Sequence, residues 1–273
     1  MPGRLLEARD ATNEDPMAIR VGIGIITCNR KDVLAETLAR LRAHTTSPCT
    51  LAVADDGSTD GTADLVRSRN ITLVTGRNMG IAWNKNRALF LLGAVLQCDT
   101  VILLEDDSYP TQDGWEQEWI QATQRWGHAN FAGGWFSNSF LGGAGTLDDP
   151  ILSKDVTAQC SGYSATALLY GGYFDSRFRG YGQEHVEHTR RLLRVGYGGT
   201  YEEIDGEVRP IYKLLKSCIE VTNPNSFSDQ GDRDRNWLVC RQLLFDETYR
   251  MPWRDDAELI QFREEIANAL QDQ

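Results

Sequence analysis

Residues 101–107 read Val101-Ile102-Leu103-Leu104-Glu105-Asp106-Asp107, followed by Ser108, Tyr109 and Pro110. Four apolar residues of β-forming type predict a buried strand, and the three acids mark the point where it leaves the core. Adjacent carboxylates repel one another. Such a cluster is either a solvated acidic loop or a seat for a hard cation, Mg²⁺ or Mn²⁺, shared with a phosphate ligand. The stretch alone leaves both readings open.

Upstream, strand and helix patterns alternate. Strands are expected at Val21–Ile26, Leu51–Ala54, Ile71–Val74 and Thr100–Leu104. Helices are expected at Lys31–Ala43, with Val33, Leu34, Leu38 and Leu41 at helical spacing, at Thr62–Ser68 and over the apolar run Asn84–Gln97. This βαβαβαβ order implies an α/β fold with a mostly parallel sheet and helices on both faces, in which ligands bind beyond the carboxyl ends of the strands. Each strand end carries polar groups there: Thr27, Asn29 and Arg30; Asp55 and Asp56; Gly76, Arg77 and Asn78; Glu105, Asp106 and Asp107. Four segments converging on one edge favour a site over a chance acidic loop.

The second half is less regular. Phe131–Gly145, rich in Gly and aromatics, reads either as a mobile loop around a ligand or as a surface turn. Ser164–Tyr170 reads as a further strand, Gly182–Arg194 as a loop entering a helix, and Asn223–Arg235 as polar loop. Asp256–Leu270 has helical periodicity with acids near its start. The expected organisation is a flexible lead-in at 1–19, a catalytic domain at 20–205 (nucleotide-sugar half 20–110, acceptor half 111–205), and an extension at 206–273 with a terminal helix.

The 273 residues are 41% hydrophobic and 25% charged, as in soluble globular proteins, with a net charge of −11. That balance argues against nucleic acid as the main partner, since phosphate backbones demand a dense cationic surface. No apolar run approaches a membrane span, and Met1–Arg20 lacks the apolar core of a secretory signal. The six cysteines form no C-x-x-C pair, which disfavours a zinc or redox motif; reduced thiols in a cytoplasmic setting are the expectation.

Five motifs occur in order: Thr27-Cys28-Asn29-Arg30; Asp55-Asp56-Gly57-Ser58-Thr59-Asp60-Gly61-Thr62; Asn78-Met79-Gly80 with Asn86; Leu104-Glu105-Asp106-Asp107 with Pro110; and Gly171-Gly172-Tyr173-Phe174-Asp175 leading to Glu184-His185-Val186-Glu187 and Arg191. Over residues 20–200 the chain resembles the GT-A-fold glycosyltransferases of family two, which move a sugar from a nucleotide-sugar donor to an acceptor. Gly180-Tyr181-Gly182-Gln183 is similar to the acceptor-side segment of galactosyltransferase-like enzymes.

The resemblance implies a Mn²⁺- or Mg²⁺-assisted transfer with inversion from a donor, UDP-linked by expectation, to a glycan or other hydroxyl acceptor. It assigns uracil contact to Asp55, whose carboxylate can accept a base N–H; Asp60-Gly61 suits a helix-capping turn better. Thr27, Asn29, Arg30, Asp56, Asn78 and Asp106 join the expected donor set. Arg77 and Lys85 meet either ribose and diphosphate or only solvent. In the family's acidic motif two carboxylates one residue apart hold the metal. Here Asp107 is the expected ligand, Glu105 replaces the first Asp and reaches through water or to a ribose hydroxyl, and Asp106 stands between.

The acceptor hydroxyl must lose a proton, and the family supplies an Asp at a helix head. At that position stand Glu184 and His185, so either His185 is the base, with its ordinary pKa near ~6.5, or Glu184 is the base and His185 a metal ligand. His188, three residues on, is either a helix-surface residue or a second metal ligand. His44 and His128 read as incidental, and Trp135, Tyr163 and Tyr181 either stack on sugar or fill core. Two rivals remain: a sugar-phosphate nucleotidyltransferase, which would want a glycine-rich basic loop where Thr27–Arg30 stands, and a non-catalytic nucleotide-sugar-binding protein of the same fold.

Overall fold

The computed structural model describes residues 18–222, 229–243, 246 and 249–271. The expected lead-in therefore lies almost wholly outside the described residues, as do residues 223–228 of the expected polar loop.

The first half shows the expected alternation: β1 (Val21–Thr27), α1 (Lys31–His44), β2 (Cys49–Asp55), α2 (Thr62–Ser68), β3 (Thr72–Thr75), α3 (Ile81–Leu89) and β4 (Thr100–Glu105). These strands pair in parallel in the order β3-β2-β1-β4. The register sets Thr75 opposite Asp55, Asp55 opposite Thr27, and Ile26 opposite Glu105, so the polar strand ends form one row. α3 starts earlier than its apolar run suggests and relaxes into a π-helical segment, Phe90–Val95, against β1. Gly22 and Gly24 permit that approach: a Cβ at either would come within 3.0 Å of Cys98 or Ala88.

After β4 come β5 (Ser108–Pro110), α4 (Trp115–Trp126), β6 (His128–Phe131), a 3₁₀ turn (Gly134–Ser139), β7 (Phe140–Gly142), β8 (Ile151–Ser153) and β9 (Cys160–Ser164). Next are α5 (Ala165–Gly171), α6 (Glu184–Arg194), β10 (Gly199–Ile204), β11 (Glu207–Leu215), β12 (Ile219–Val221), α7 (Gln230–Leu243) and α8 (Asp256–Gln271). β9 and β6 continue the sheet antiparallel beyond β4; β11, β8 and β7 come next, with β10 on β11. The sheet is thus mixed, parallel from β3 to β4 and partly antiparallel beyond, as the resemblance implies.

Two expectations fail here. Ser164–Tyr170 is not a strand: Ser164 caps α5, its hydroxyl accepting the Ala167 N–H, and Leu169 and Tyr170 turn outward. Residues 230–235 are the first turns of α7 rather than loop. The boundary expected after residue 205 falls in the turn of the β10–β11 hairpin, so β11 carries the chain on within the same sheet.

Helices α1, α2 and α4 cover one face, where Leu34, Leu38, Val66 and Trp119 pack on Ile23, Ile25 and Val53. α3, α5, α6 and α8 cover the other, where Trp83, Phe174, Leu192 and Phe262 meet. Burying each such side chain contributes about 1.5–3 kcal/mol, and Trp83 adds an edge contact to Phe262 at 5.3 Å between ring centres. α8 is thus part of the main core. Among the described residues no helix is long and apolar enough to cross a membrane.

Candidate active site

The strand-end row is built by local hydrogen bonds. Asn29 adopts a left-handed backbone (φ 51°), which Asn tolerates better than most residues. Its N–H donates to Ser58 Oγ at 2.7 Å, and its Oδ1 accepts the Thr59 N–H at 2.7 Å, joining the loops after β1 and β2. Asp60 Oδ2 accepts the Lys31 N–H and Oδ1 the Thr62 N–H, securing the starts of α1 and α2. Asp55 is buried and held in one orientation by the Ser58 hydroxyl and by Thr75 Oγ1 at 2.8 Å.

Asp56 is turned away from this edge. Its oxygens accept the N–H groups of Met79 and Gly80, both at 2.8 Å, and Arg87 Nη1 at 2.8 Å. It staples the loop after β3 rather than facing a ligand, and burial raises its pKa against those donors. Arg77 and Asn78, on the same loop, are exposed; Arg77 Nε lies on Met79 Sδ, and Asn78 Nδ2 donates to Cys28 Sγ at 3.4 Å.

The acids after β4 divide in an unforeseen way. Asp106 is no spacer: Oδ2 accepts the Thr27 hydroxyl at 2.7 Å, Oδ1 lies 2.7 Å from Arg30 Nη1, and its carbonyl accepts the Thr37 hydroxyl. Burial pushes it up to about 7, with Arg30 and Thr27 opposing. Asp107 Oδ2 takes the other arm of the same guanidinium, Arg30 Nη2, at 2.9 Å. Its carbonyl accepts the Thr222 N–H at 3.0 Å, and β12 pairs with β5 beside it. Glu105 points the other way, toward Lys85, and burial raises its pKa.

Helix α3 carries four consecutive polar residues into the core, each facing a different direction. Asn84 Nδ2 donates to the Thr27 carbonyl at 3.1 Å and the Ala54 carbonyl at 2.9 Å, tying the ends of β1 and β2. Asn86 exchanges two hydrogen bonds with the Phe174 backbone. Arg87 is fully buried between Asp56, the Arg77 carbonyl and Glu265 of α8, with Nε 3.0 Å from Glu265 Oε2. Lys85 is neither solvated nor at an exposed edge. Its Nζ lies 3.0 Å from Glu184 Oε1, 3.7 Å from Glu105 Oε1, and 5.4 Å from the centre of the Phe174 ring.

Lys85 therefore brings together two acids from opposite halves of the chain. Burial alone would raise Glu184, but Lys85 and His185 hold it well below the usual carboxylate range. Reciprocally, burial would lower Lys85, and the two carboxylates raise it. His185 is partly exposed, 22% by side chain, with Nδ1 3.4 Å from Glu184 Oε1. The head of α6 thus presents an accessible imidazole backed by a buried carboxylate. Glu187 faces inward to a two-pronged pair with Arg191, both contacts at 2.9 Å.

His188 is neither a surface residue nor placed as a ligand. It is fully buried beside Tyr163 and Phe174, its Nε2 bonded to the Gly172 carbonyl at 2.8 Å, and burial drives its pKa far down. His128 is not incidental: it stacks on Tyr163, bonds to the Gly162 carbonyl and is held down to about 4 by burial. Of the candidate stacking aromatics, Tyr163 is core, Tyr181 is half-buried and Trp135 is exposed.

The implied divalent cation can be tested against this donor set. Carboxylate oxygens suit a hard cation, and Mg²⁺-type sites in transferases use one or two carboxylates plus substrate phosphates rather than a full protein cage. Among the described residues no three His, Cys, Asp or Glu side chains form such a cage. A carboxylate of the sparser kind is offered by Asp107, whereas Glu105 is turned toward Lys85.

Arg87, Glu265, Thr37 and the bridging place of Lys85 were not anticipated. Their one signal was Asn84-Lys85-Asn86-Arg87, four polar residues heading an otherwise apolar helix.

Comparison with known proteins agrees with this geometry. No curated protein sequence matches the chain. Among solved structures, a mannosyltransferase, PcManGT from Pyrobaculum calidifontis, in complex with GDP-Man and Mn²⁺, superposes with a TM-score of 0.54 at 16% identity, covering 95% of this chain and 66% of that one. Staphylococcus aureus TarS 1–349 gives 0.54 at 15%, covering 92% and 71%. GalNAc-T7 with UDP, GalNAc and Mn²⁺ gives 0.56 at 13%, covering 93% and 55%. The chain thus spans about two thirds or less of the mannosyltransferase and of GalNAc-T7, and at these identities the likeness concerns the fold. The family model described as glycosyl transferase family 2 matches residues 23–167, more than half of the sequence. With the strand-end row inside that match, the chain belongs to glycosyl transferase family 2 and has the GT-A fold.

Proposed function

We propose that the protein transfers a sugar from a UDP-sugar to a hydroxyl group, by direct displacement with inversion at the anomeric carbon and with the help of a divalent cation. The observation that carries this reading is the meeting of Glu105, Lys85, Glu184 and His185, which supports a proton acceptor at the head of α6 near the strand-end acids. The Mn²⁺ complexes of two structural neighbours support the metal, and one of them holds UDP.

Asp55, fixed by Ser58 and Thr75, accepts the N–H of the base. The cation would be held through Asp107 and the donor's phosphates and would supply charge compensation for the departing diphosphate, with Glu105 acting through water or on a ribose hydroxyl. His185 removes the acceptor's proton. Glu184, paired with Lys85, lies 3.4 Å from His185 Nδ1, so its negative charge favours the imidazolium that forms when His185 takes up that proton. A carboxylate held so far below its usual range is a poor base, which favours His185 over Glu184.

The test is incubation with radiolabelled UDP-sugars, with and without Mn²⁺, scoring transfer and slow donor hydrolysis. Turnover is expected with the cation, and His185→Ala is expected to abolish it while UDP binding, measured by calorimetry, is kept. If Glu184→Gln stops turnover and His185→Ala does not, the base assignment is reversed. Absence of turnover with every sugar nucleotide would leave a binding protein instead.

A further inference from the structure

The Arg30 guanidinium spans the Asp106–Asp107 pair, Nη1 to Asp106 at 2.7 Å and Nη2 to Asp107 at 2.9 Å. The two acids are 3% exposed by side chain and Arg30 is 21% exposed, so Arg30 is the more accessible partner. A cation at Asp107 Oδ2 would have to displace or share the Arg30 Nη2 contact. The same planar fork that grips two carboxylates grips two phosphate oxygens equally well. Arg30 sits where β1 gives way to α1, at the carboxyl edge where a donor binds.

We propose that Arg30 is an exchangeable resident cation. It neutralises Asp106 and Asp107 until a nucleoside diphosphate draws the guanidinium onto its phosphates, and only then do the carboxylates accept a divalent ion. This rests on the reading of Asp107 as the metal ligand. The exchange conserves charge pairing: the acids trade one positive charge for two, and the released guanidinium faces the diphosphate. Nucleotide and metal then raise each other's affinity by the same factor, as linkage requires.

The test is Mn²⁺ binding to the whole protein, monitored by the electron paramagnetic resonance of free Mn²⁺, with direct UDP–Mn²⁺ association subtracted. Wild type is expected to bind Mn²⁺ alone weakly and with UDP tightly. Arg30→Gln is expected to bind Mn²⁺ alone at least about tenfold tighter than wild type, because a positive charge within a few ångströms of the site is gone. Arg30→Lys, which keeps the charge but cannot span both acids, is expected to fall between them and serves if the Gln variant does not fold. Wild type binding Mn²⁺ alone as tightly as both variants would overturn the exchange while leaving the metal assignment standing. If no form binds Mn²⁺, with or without UDP, the metal assignment falls and the exchange with it.

Discussion

Replacing Lys85 by Met removes the positive charge that the structure places between Glu184 and Glu105 while keeping the side chain's length. At an effective dielectric of about 20, unit charges at the observed 3.0 Å and 3.7 Å attract by about 5.5 and 4.5 kcal/mol. Burial of the ammonium offsets part of this, and loss of one partner from a buried pair costs about 3–5 kcal/mol net. The pH dependence separates this electrostatic cost from a packing defect. In wild type Glu184 has a depressed pKa, so its stabilisation is present above its unfolded pKa and is lost as pH falls through the folded value. In Lys85→Met the buried Glu184 keeps only the partly exposed His185 beside it, and burial favours its protonated form. The penalty should then shrink by up to about 1.4 kcal/mol per pH unit on acidification from pH 7 toward 5. Urea unfolding of both proteins across that range measures it. A difference that stays constant between pH 7 and 5, or that lies below about 1 kcal/mol at pH 7, would refute the claim that Lys85 holds Glu184 ionised.

Two further outcomes are expected. His128 and His188 are buried in neutral form with depressed pKa values, so their contribution is present above about pH 6.5, the unfolded value, and is lost as pH falls toward the folded values, about 4 for His128; urea unfolding between pH 7 and 4 should show the decline, and His188→Gln should flatten it. Gly80 has φ 93°, and a Cβ there would sit 2.8 Å from the Gly180 nitrogen, so Gly80→Ala should destabilise by about 1–3 kcal/mol in chemical denaturation and weaken UDP binding.

The parallel half was legible because each strand's apolar run and each turn's chemistry are local signals. Thr27, Asp55 and Glu105 were placed on one edge by topology alone, and the register bears that out. What stayed hidden depended on contacts distant in sequence. Nothing near Asp106 announces Arg30, 76 positions earlier, as the partner of its carboxylate. The helical spacing of His185 and His188 implies a shared face, but which of the two meets solvent is decided by Tyr163 and Phe174 packing over His188. Ser164–Tyr170 misled because a short apolar run suits strand and helix alike, and only the Ser164 cap separates them.

Arg87 completes its ion pairs with a carboxylate 178 residues downstream, and through Asp56 it holds the loop after β3 at the carboxyl edge of the parallel strands. During synthesis the strands of that half emerge early, yet the loop's buried cation lacks Glu265 until α8 has been made. The parallel half of the sheet therefore precedes α8 in sequence and still depends on it to reach its final form. A nascent chain stalled before α8 would carry every motif at the parallel strand ends and still leave Arg87 without Glu265.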